Sequence, residues 1–111
     1  MEKSLVRRLS AILAADVVGY SRLMGEDETR TLGDLRRLRD ETFAPAVAEH
    51  GGQIIKGLGD GWLVSFDSAA AAVHCAASVQ DSLTADAPMR LRIGFISAMS
   101  LSRMVTSTAT A

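Results

Sequence analysis

The sequence has little of what marks disulfide-rich, membrane-spanning or nucleic-acid-binding proteins. Its single cysteine, Cys75, excludes an internal disulfide framework and suits a reducing compartment. A net charge of -1 gives no basic excess that would attract nucleic acid. The apolar stretch AILAA near the start is interrupted by Asp16 and is too short for a signal peptide or a membrane span. We therefore expect a cytoplasmic chain with no membrane segment and no nucleic-acid partner.

What the sequence does contain is enough apolar material for one domain. Hydrophobic residues make up 48% of its 111 residues, which suffices for one core and leaves little for a second. A nearly continuous apolar run from Arg8 to Val18, bounded by Gly19, predicts a strand buried on both faces, although its alanines leave a helix possible. Asp27 to His50 reads as one long amphipathic helix that Pro45 kinks or divides. Its apolar positions are Leu32, Leu35, Leu38, Phe43 and Val47.

The second half of the sequence predicts a hairpin, a helix and a strand. GQIIKGL and GWLVSF are β-like runs joined by a Gly-Asp-Gly turn. Ser68 is the predicted N-cap of a helix that closes at Ala87-Pro88. Trp62 is assigned to packing in the core or at an interface. MRLRIGF then alternates with period two and predicts a strand that ends at Phe95. The apolar face of that helix is assigned to Ala69, Ala72, Val73, Ala76, Val79 and Leu83.

This order of elements predicts an α/β fold, an α+β sandwich with a mixed sheet covered by helices on one face. The arrangement is much like the ferredoxin-like fold. Cys75 is expected to be a small buried thiol beside a surface imidazole on His74, rather than half of a metal site. Arg22 and the cluster from Arg36 to Arg39 are expected to be solvated helix charges.

Two aspartates stand where chemistry is possible. Asp16 lies near the end of the first predicted strand, before a turn into a helix, where a metal-bound phosphate could sit. Capping of a strand or helix would explain it about equally well. Asp60 is at the hairpin tip, where turn geometry alone accounts for an Asp-Gly pair. If the hairpin lies antiparallel to the first strand, both carboxylates meet, and a divalent cation would relieve their repulsion.

ILAADVVGYSRLM and EHGGQIIKGLGDGWLVSF, in this order and spacing, resemble the class III adenylate and guanylate cyclases, especially a bacterial subgroup. The resemblance covers about residues 7 to 94. It implies a nucleotide cyclase fold of the ferredoxin-like type and conversion of ATP to cyclic AMP and pyrophosphate. Asp16 and Asp60 would be the catalytic, metal-binding aspartates for two Mg²⁺ or Mn²⁺ ions, with the Val17 carbonyl as a further ligand.

The same resemblance implies how the substrate is held. Backbone amides around Val18, Gly19, Tyr20 and Ser21 would hold the phosphates of the nucleotide. Lys56 resembles the family lysine that recognises adenine, which favours ATP over GTP. Alternatively, Lys56 is an exposed lysine on a strand without a role in binding. The family works as head-to-tail homodimers, in which Lys56 of one subunit serves the aspartates of the other.

The sequence departs from the family after Phe95. The family continues with a segment like HLGDVIVEDGDIYGDGVNVAARLE, which supplies a further base-reading residue and the Asn and Arg that stabilise the transition state. This chain instead has ISAMSLSRMVTSTATA. The residues from Phe95 onward can be written with codons that encode the family segment when they are read from the third base of the Phe95 codon. In the reading frame of this chain, the same nucleotide sequence continues into a stop codon directly after Ala111. We expect a frameshift near Phe95. It would leave residues 1–95 as the N-terminal part of a cyclase domain and 96–111 as an out-of-frame tail.

The sequence is therefore compatible with three functions. The first is an adenylate cyclase by descent whose truncated chain is inactive alone, because the transition-state residues are missing. The second is a noncatalytic nucleotide-binding or dimerisation module that uses the same sheet. The third is a small ferredoxin-like binding domain in which the aspartates are only turn and cap residues.

Overall fold

The computed structural model describes the backbone of residues 7–101 and the side chains of residues 10–96. Within this range the chain forms four strands and four α-helices, with one π-helical turn between the second and third helices. The elements are β1 (Arg7–Val17), α1 (Tyr20–Glu26), α2 (Glu28–Leu38), the π turn (Arg39–Phe43), α3 (Ala44–Glu49), β2 (Gln53–Leu58), β3 (Gly61–Phe66), α4 (Ala69–Ser82) and β4 (Leu91–Leu101).

The four strands form one sheet in the order β2-β3-β1-β4. The structure confirms the α+β class and the layer of helices on one face. Every neighbouring pair of strands is antiparallel, so the prediction of a mixed sheet was wrong. Along β1, alternate residues are buried, and α4 contacts this strand from the same side. The buried residues are Ala11, Leu13, Ala15 and Val17. The opposite face carries no helix among the described elements.

The long helical segment is divided close to Pro45, as predicted. Proline has no N–H to donate to the carbonyl four residues earlier, and the preceding turn, Arg39–Phe43, widens to π geometry. Gly51 has φ 72° just after α3, and the N–H of Gly52 donates to Val47 at 2.8 Å, which ends the helix at the expected glycines. Leu32 is 40% exposed, so its assignment to the apolar face was wrong.

The helix α4 begins at its predicted cap and buries most of its predicted face. The Ser68 hydroxyl accepts a hydrogen bond from the Ala71 N–H at 3.1 Å. Ala72, Ala76 and Val79 are buried as predicted, and so is Cys75. Ala69 and Val73 are exposed, so their assignment to the apolar face was wrong. The helix ends at Ser82, earlier than the predicted stop at Ala87-Pro88.

The strand β4 continues past Phe95 to Leu101 and pairs with β1 along its whole length. The predicted end at Phe95 rested on the loss of side-chain alternation, but a strand ladder is built from backbone N–H and C=O groups. Of the proposed tail, residues 102–111 lie outside the described residues. Within the described range, no helix is both long enough and apolar enough to cross a membrane.

Candidate functional site

The pairing of β1 with β3 brings Asp16 and Asp60 to one end of the sheet. Asp16 lies directly opposite Gly61, the neighbour of Asp60 in sequence. The N–H of Val17 donates to the Asp60 carbonyl at 2.9 Å, which ties the hairpin tip to the end of β1. The antiparallel placement that the sequence analysis required for a carboxylate pair is therefore present in the backbone.

Gly61 is glycine because β1 passes close to it. A β-carbon at this position would overlap the Ala15 carbonyl and crowd the Asp16 backbone. Positive φ angles occur among the described glycines only at Gly19 and Gly51, so Gly61 does not serve the left-handed turn expected of an Asp-Gly pair. The close approach of β1 therefore accounts for Gly61, whereas the two interpretations of Asp60, as a turn residue and as a metal ligand, stay predictions.

Arg92 is the residue at this site that the sequence analysis missed. It lies opposite Asp16 on β4, and its Nη2 is 3.2 Å from the Asp16 Oδ1. This distance makes the contact an ion pair, but the guanidinium is not aligned to donate a hydrogen bond to Oδ1. Oδ1 is shielded from solvent and has no hydrogen-bond partner. Period-two alternation had placed Arg92 on the outward face of its strand, but the identity of its neighbour depended on the β1–β4 register.

Lys56 shares the open face of the sheet with Asp16 but lies two strands away from it. Lys56 pairs with Leu63 of β3, and Leu63 pairs with Ala14 of β1. Ala14 and Asp16 are two residues apart and so point to the same face. Two strand spacings amount to about 10 Å between the backbones of β2 and β1. The structure therefore does not place Lys56 next to Asp16 within one chain.

The turn to which phosphate binding is assigned follows β1, and one of its four backbone amides already has a partner. The N–H of Val18 donates to the Arg90 carbonyl at 2.9 Å, so Val18 offers no free amide and its predicted role was wrong. Gly19 is left-handed, with φ 68°, and leads into α1. The amides of Tyr20 and Ser21 are in the first turn of α1, where N–H groups have no partner within the helix.

The carboxylates fit a divalent cation that is shared with a polyphosphate. The shielded Asp16 Oδ1, which lacks a hydrogen bond, is an oxygen of the type that Mg²⁺ prefers. The Asp60 carboxylate makes no hydrogen bond or ion pair with any described residue. Within the described part of the chain, no three His, Cys, Asp or Glu side chains converge as a metal cage. Mg²⁺ is commonly bound by one or two carboxylates together with substrate phosphates, and the donor set agrees with that arrangement.

The remaining predicted residues stay outside this site. Cys75 is buried and its neighbour His74 is exposed, which confirms the structural interpretation of both. Arg22 forms an exposed ion pair with Glu26, as expected for a solvated helix charge. Trp62 is buried in the core.

Relatives in sequence point to one family, although no protein-family model matches the chain. A protein of Rhizobium meliloti (strain 1021), named "Putative adenylate cyclase 3", is 46% identical over 100 residues, which is 84% of this chain. An adenylate cyclase of Streptomyces coelicolor is 35% identical over 94 residues. The chain spans 17% and 25% of the lengths of these two relatives.

A solved structure agrees with the sequence relatives. The crystal structure of an adenylate/guanylate cyclase/hydrolase from Silicibacter pomeroyi superimposes with a TM-score of 0.76 at 43% identity. The match covers 88% of this chain and 61% of that one. The antiparallel sheet, its helical layer and the turn after β1 thus belong to a fold that has been observed in a solved relative.

Proposed function

Because the chain belongs to the class III adenylate/guanylate cyclase family, we propose that it carries the metal- and phosphate-binding part of a domain that converts ATP to cyclic AMP. In this reaction the ribose 3′-oxygen bonds to the α-phosphorus, the bond from that phosphorus to the β-phosphate oxygen breaks, and pyrophosphate leaves. The hydroxyl proton passes to solvent.

One observation carries this proposal, namely the register that sets Asp16 opposite Gly61 and hence beside Asp60. Asp16, Asp60 and the Val17 carbonyl would hold two Mg²⁺ or Mn²⁺ ions. When bound, these ions activate the 3′-hydroxyl and neutralise charge on the triphosphate. The amides of Gly19, Tyr20 and Ser21 would bind phosphate oxygens at the start of α1.

A head-to-tail homodimer is part of this proposal, because the family resemblance has Lys56 of one subunit recognise the adenine of a nucleotide held by the aspartates of the other. Within its own chain, Lys56 lies two strands away from Asp16. All six residues of β2 are exposed, including the apolar Ile54, Ile55 and Leu58, so this edge is available to a partner. ATP is favoured over GTP through Lys56, and a cytoplasmic location is part of the same proposal.

We expect the 111-residue chain to have little or no turnover. By the resemblance, the family's transition-state Asn and Arg belong to the segment that begins after Phe95, where this chain has ISAMSLSRMVTSTATA. Without those donors, charge that develops at the α-phosphate has less stabilisation, and loss of one such donor typically costs about 10²–10³-fold in rate. Binding of metal and nucleotide depends on other residues and is expected to remain, although weakly.

The test is Mn²⁺-dependent ATP binding by the purified chain, measured by equilibrium dialysis. Asp16→Asn and Asp60→Asn should each abolish the Mn²⁺-dependent part of binding. Asp81→Asn is the matched control, because Asp81 is an exposed carboxylate on α4, and it should bind as the unmodified chain does.

Two results would redirect the proposal. If Mn²⁺-dependent ATP binding persisted in both Asp16→Asn and Asp60→Asn, the two aspartates would be only turn and cap residues. Metal-dependent binding without any cyclic AMP from a chain whose family segment has been restored would favour the noncatalytic nucleotide-binding or dimerisation module.

A further inference from the structure

The ion pair between Arg92 and Asp16 has an unusual form. The Asp16 Oδ1 is shielded from solvent, and the cation 3.2 Å away is not aligned to donate a hydrogen bond. The guanidinium itself belongs to a side chain that is 73% exposed. Arg92 therefore neutralises the carboxylate by charge alone, and it holds this position with few other contacts.

The geometry points to Arg92 as the resident counter-ion of Asp16, a cation that leaves when a divalent metal binds. This inference rests on the proposed metal site. A carboxylate oxygen that is shielded from water and not hydrogen-bonded is costly to leave unpaired, and Arg92 lowers that cost while the metal is absent. Metal and guanidinium compete for one oxygen, so each binding event for the metal includes the release of Arg92.

Two measurable consequences follow from competition. Removing the guanidinium should strengthen Mn²⁺ binding, because the metal no longer displaces a resident charge. It should also destabilise the metal-free chain, because Asp16 then lacks its counter-ion. Since the Arg92 side of the pair is largely exposed, we expect its removal to lower the Mn²⁺ dissociation constant only about two- to fivefold.

The experiment uses the full 111-residue chain and Mn²⁺ alone as the probe, with free Mn²⁺ counted by electron paramagnetic resonance. Arg92→Met keeps most of the apolar stem and removes the charge. Arg90→Met is the matched control, because it removes the same charge two residues away from an exposed position with no ion pair to Asp16. Arg92→Met should bind Mn²⁺ more tightly than both the unmodified chain and Arg90→Met.

Thermal unfolding supplies the second measurement. Arg92→Met should have a lower Tm than the unmodified chain in EDTA, and this difference should vanish or reverse at saturating Mn²⁺. Equal destabilisation with and without Mn²⁺ would overturn the inference and make Arg92 a structural residue. If Arg92→Met and Arg90→Met strengthened Mn²⁺ binding equally, the inference would be overturned, because loss of any nearby positive charge would then have the same effect. Undiminished Mn²⁺ binding by Asp16→Asn would instead refute the metal site itself, so the two failures are distinguishable.

Discussion

Trp62 stacks on Phe43, with ring centroids 4.5 Å apart and planes inclined by 23°. Trp62 belongs to β3, the strand that follows Asp60, and Phe43 ends the π turn between α2 and α3. Both rings are buried. The contact therefore fixes the strand that carries the hairpin tip against the helical layer, and it couples the position of Asp60 to the packing of the core.

Replacing Phe43 by alanine should destabilise the chain strongly. Truncation of a buried phenylalanine leaves a cavity and typically costs about 3–5 kcal/mol. Urea unfolding followed by the fluorescence of Trp62, the only tryptophan, measures this loss at the contact itself. Phe95→Ala is the control, because Phe95 is 48% exposed and its loss should cost far less. Equal effects of the two substitutions would contradict the assignment of Phe43 to the core.

Gly61→Ala should separate β1 from β3 at the site. The added β-carbon overlaps the Ala15 carbonyl, which is backbone and cannot rotate away. Forcing an extra carbon into a well-packed position typically costs about 1–3 kcal/mol. Urea unfolding should show that loss, and Mn²⁺-dependent ATP binding should weaken because the Asp16–Asp60 relationship is disturbed.

Gly57→Ala is the matched control for this substitution. Gly57 lies in the same hairpin, on β2, and a β-carbon there meets no atom within 4 Å. It should leave both stability and nucleotide binding nearly unchanged. A Gly61→Ala chain that is as stable as Gly57→Ala would show that the close approach of β1 and β3 is not what requires glycine.

Much of the fold could be predicted from the sequence because its signals are local. The apolar run of β1, the two β-like runs of the hairpin and the Ser68 cap each depend on a few neighbouring residues. Pro45 also marked the division of the long helix, since a missing N–H has its effect within one turn. The approach of Asp16 to Asp60 needed only one further assumption, that the hairpin lies antiparallel to β1.

The remaining features depend on long-range register, which local patterns do not encode. Arg92 meets Asp16 only because β4 pairs with β1 in one particular register. The Val18 amide is occupied by a carbonyl from the loop before β4, so its loss as a phosphate donor was also invisible to the sequence. In α4, helical spacing placed Val73 on the apolar face, but its exposure depends on how the helix packs against the sheet, which spacing does not encode.

The nucleotide sequence of the gene tests the proposed origin of residues 96–111. Read from the third base of codon 95, it should encode HLGDV, an apolar residue and VEDGD, followed by GDG two residues later. Because the β4 ladder uses backbone groups, the strand can continue to Leu101 whichever side chains the tail supplies. Codons that encode no such segment in the shifted frame would refute the frameshift. Restoring the frame by one base should raise cyclic AMP production above that of the present chain.

Cys75 should make the stability of the chain fall at alkaline pH. Burial raises the pKa of this thiol because the thiolate loses its hydration. The folded pKa then lies above the unfolded value of about 8.5, so the folded state is favoured in full below that pH. Stability declines as pH rises from there through the folded pKa, because the unfolded chain releases the proton more readily. The free energy of unfolding measured between pH 7 and pH 10 should therefore fall more steeply for the unmodified chain than for Cys75→Ala. If the free energies of unfolding of the two chains fell in parallel with pH, a raised pKa of Cys75 would be contradicted, even if Cys75→Ala were less stable at every pH.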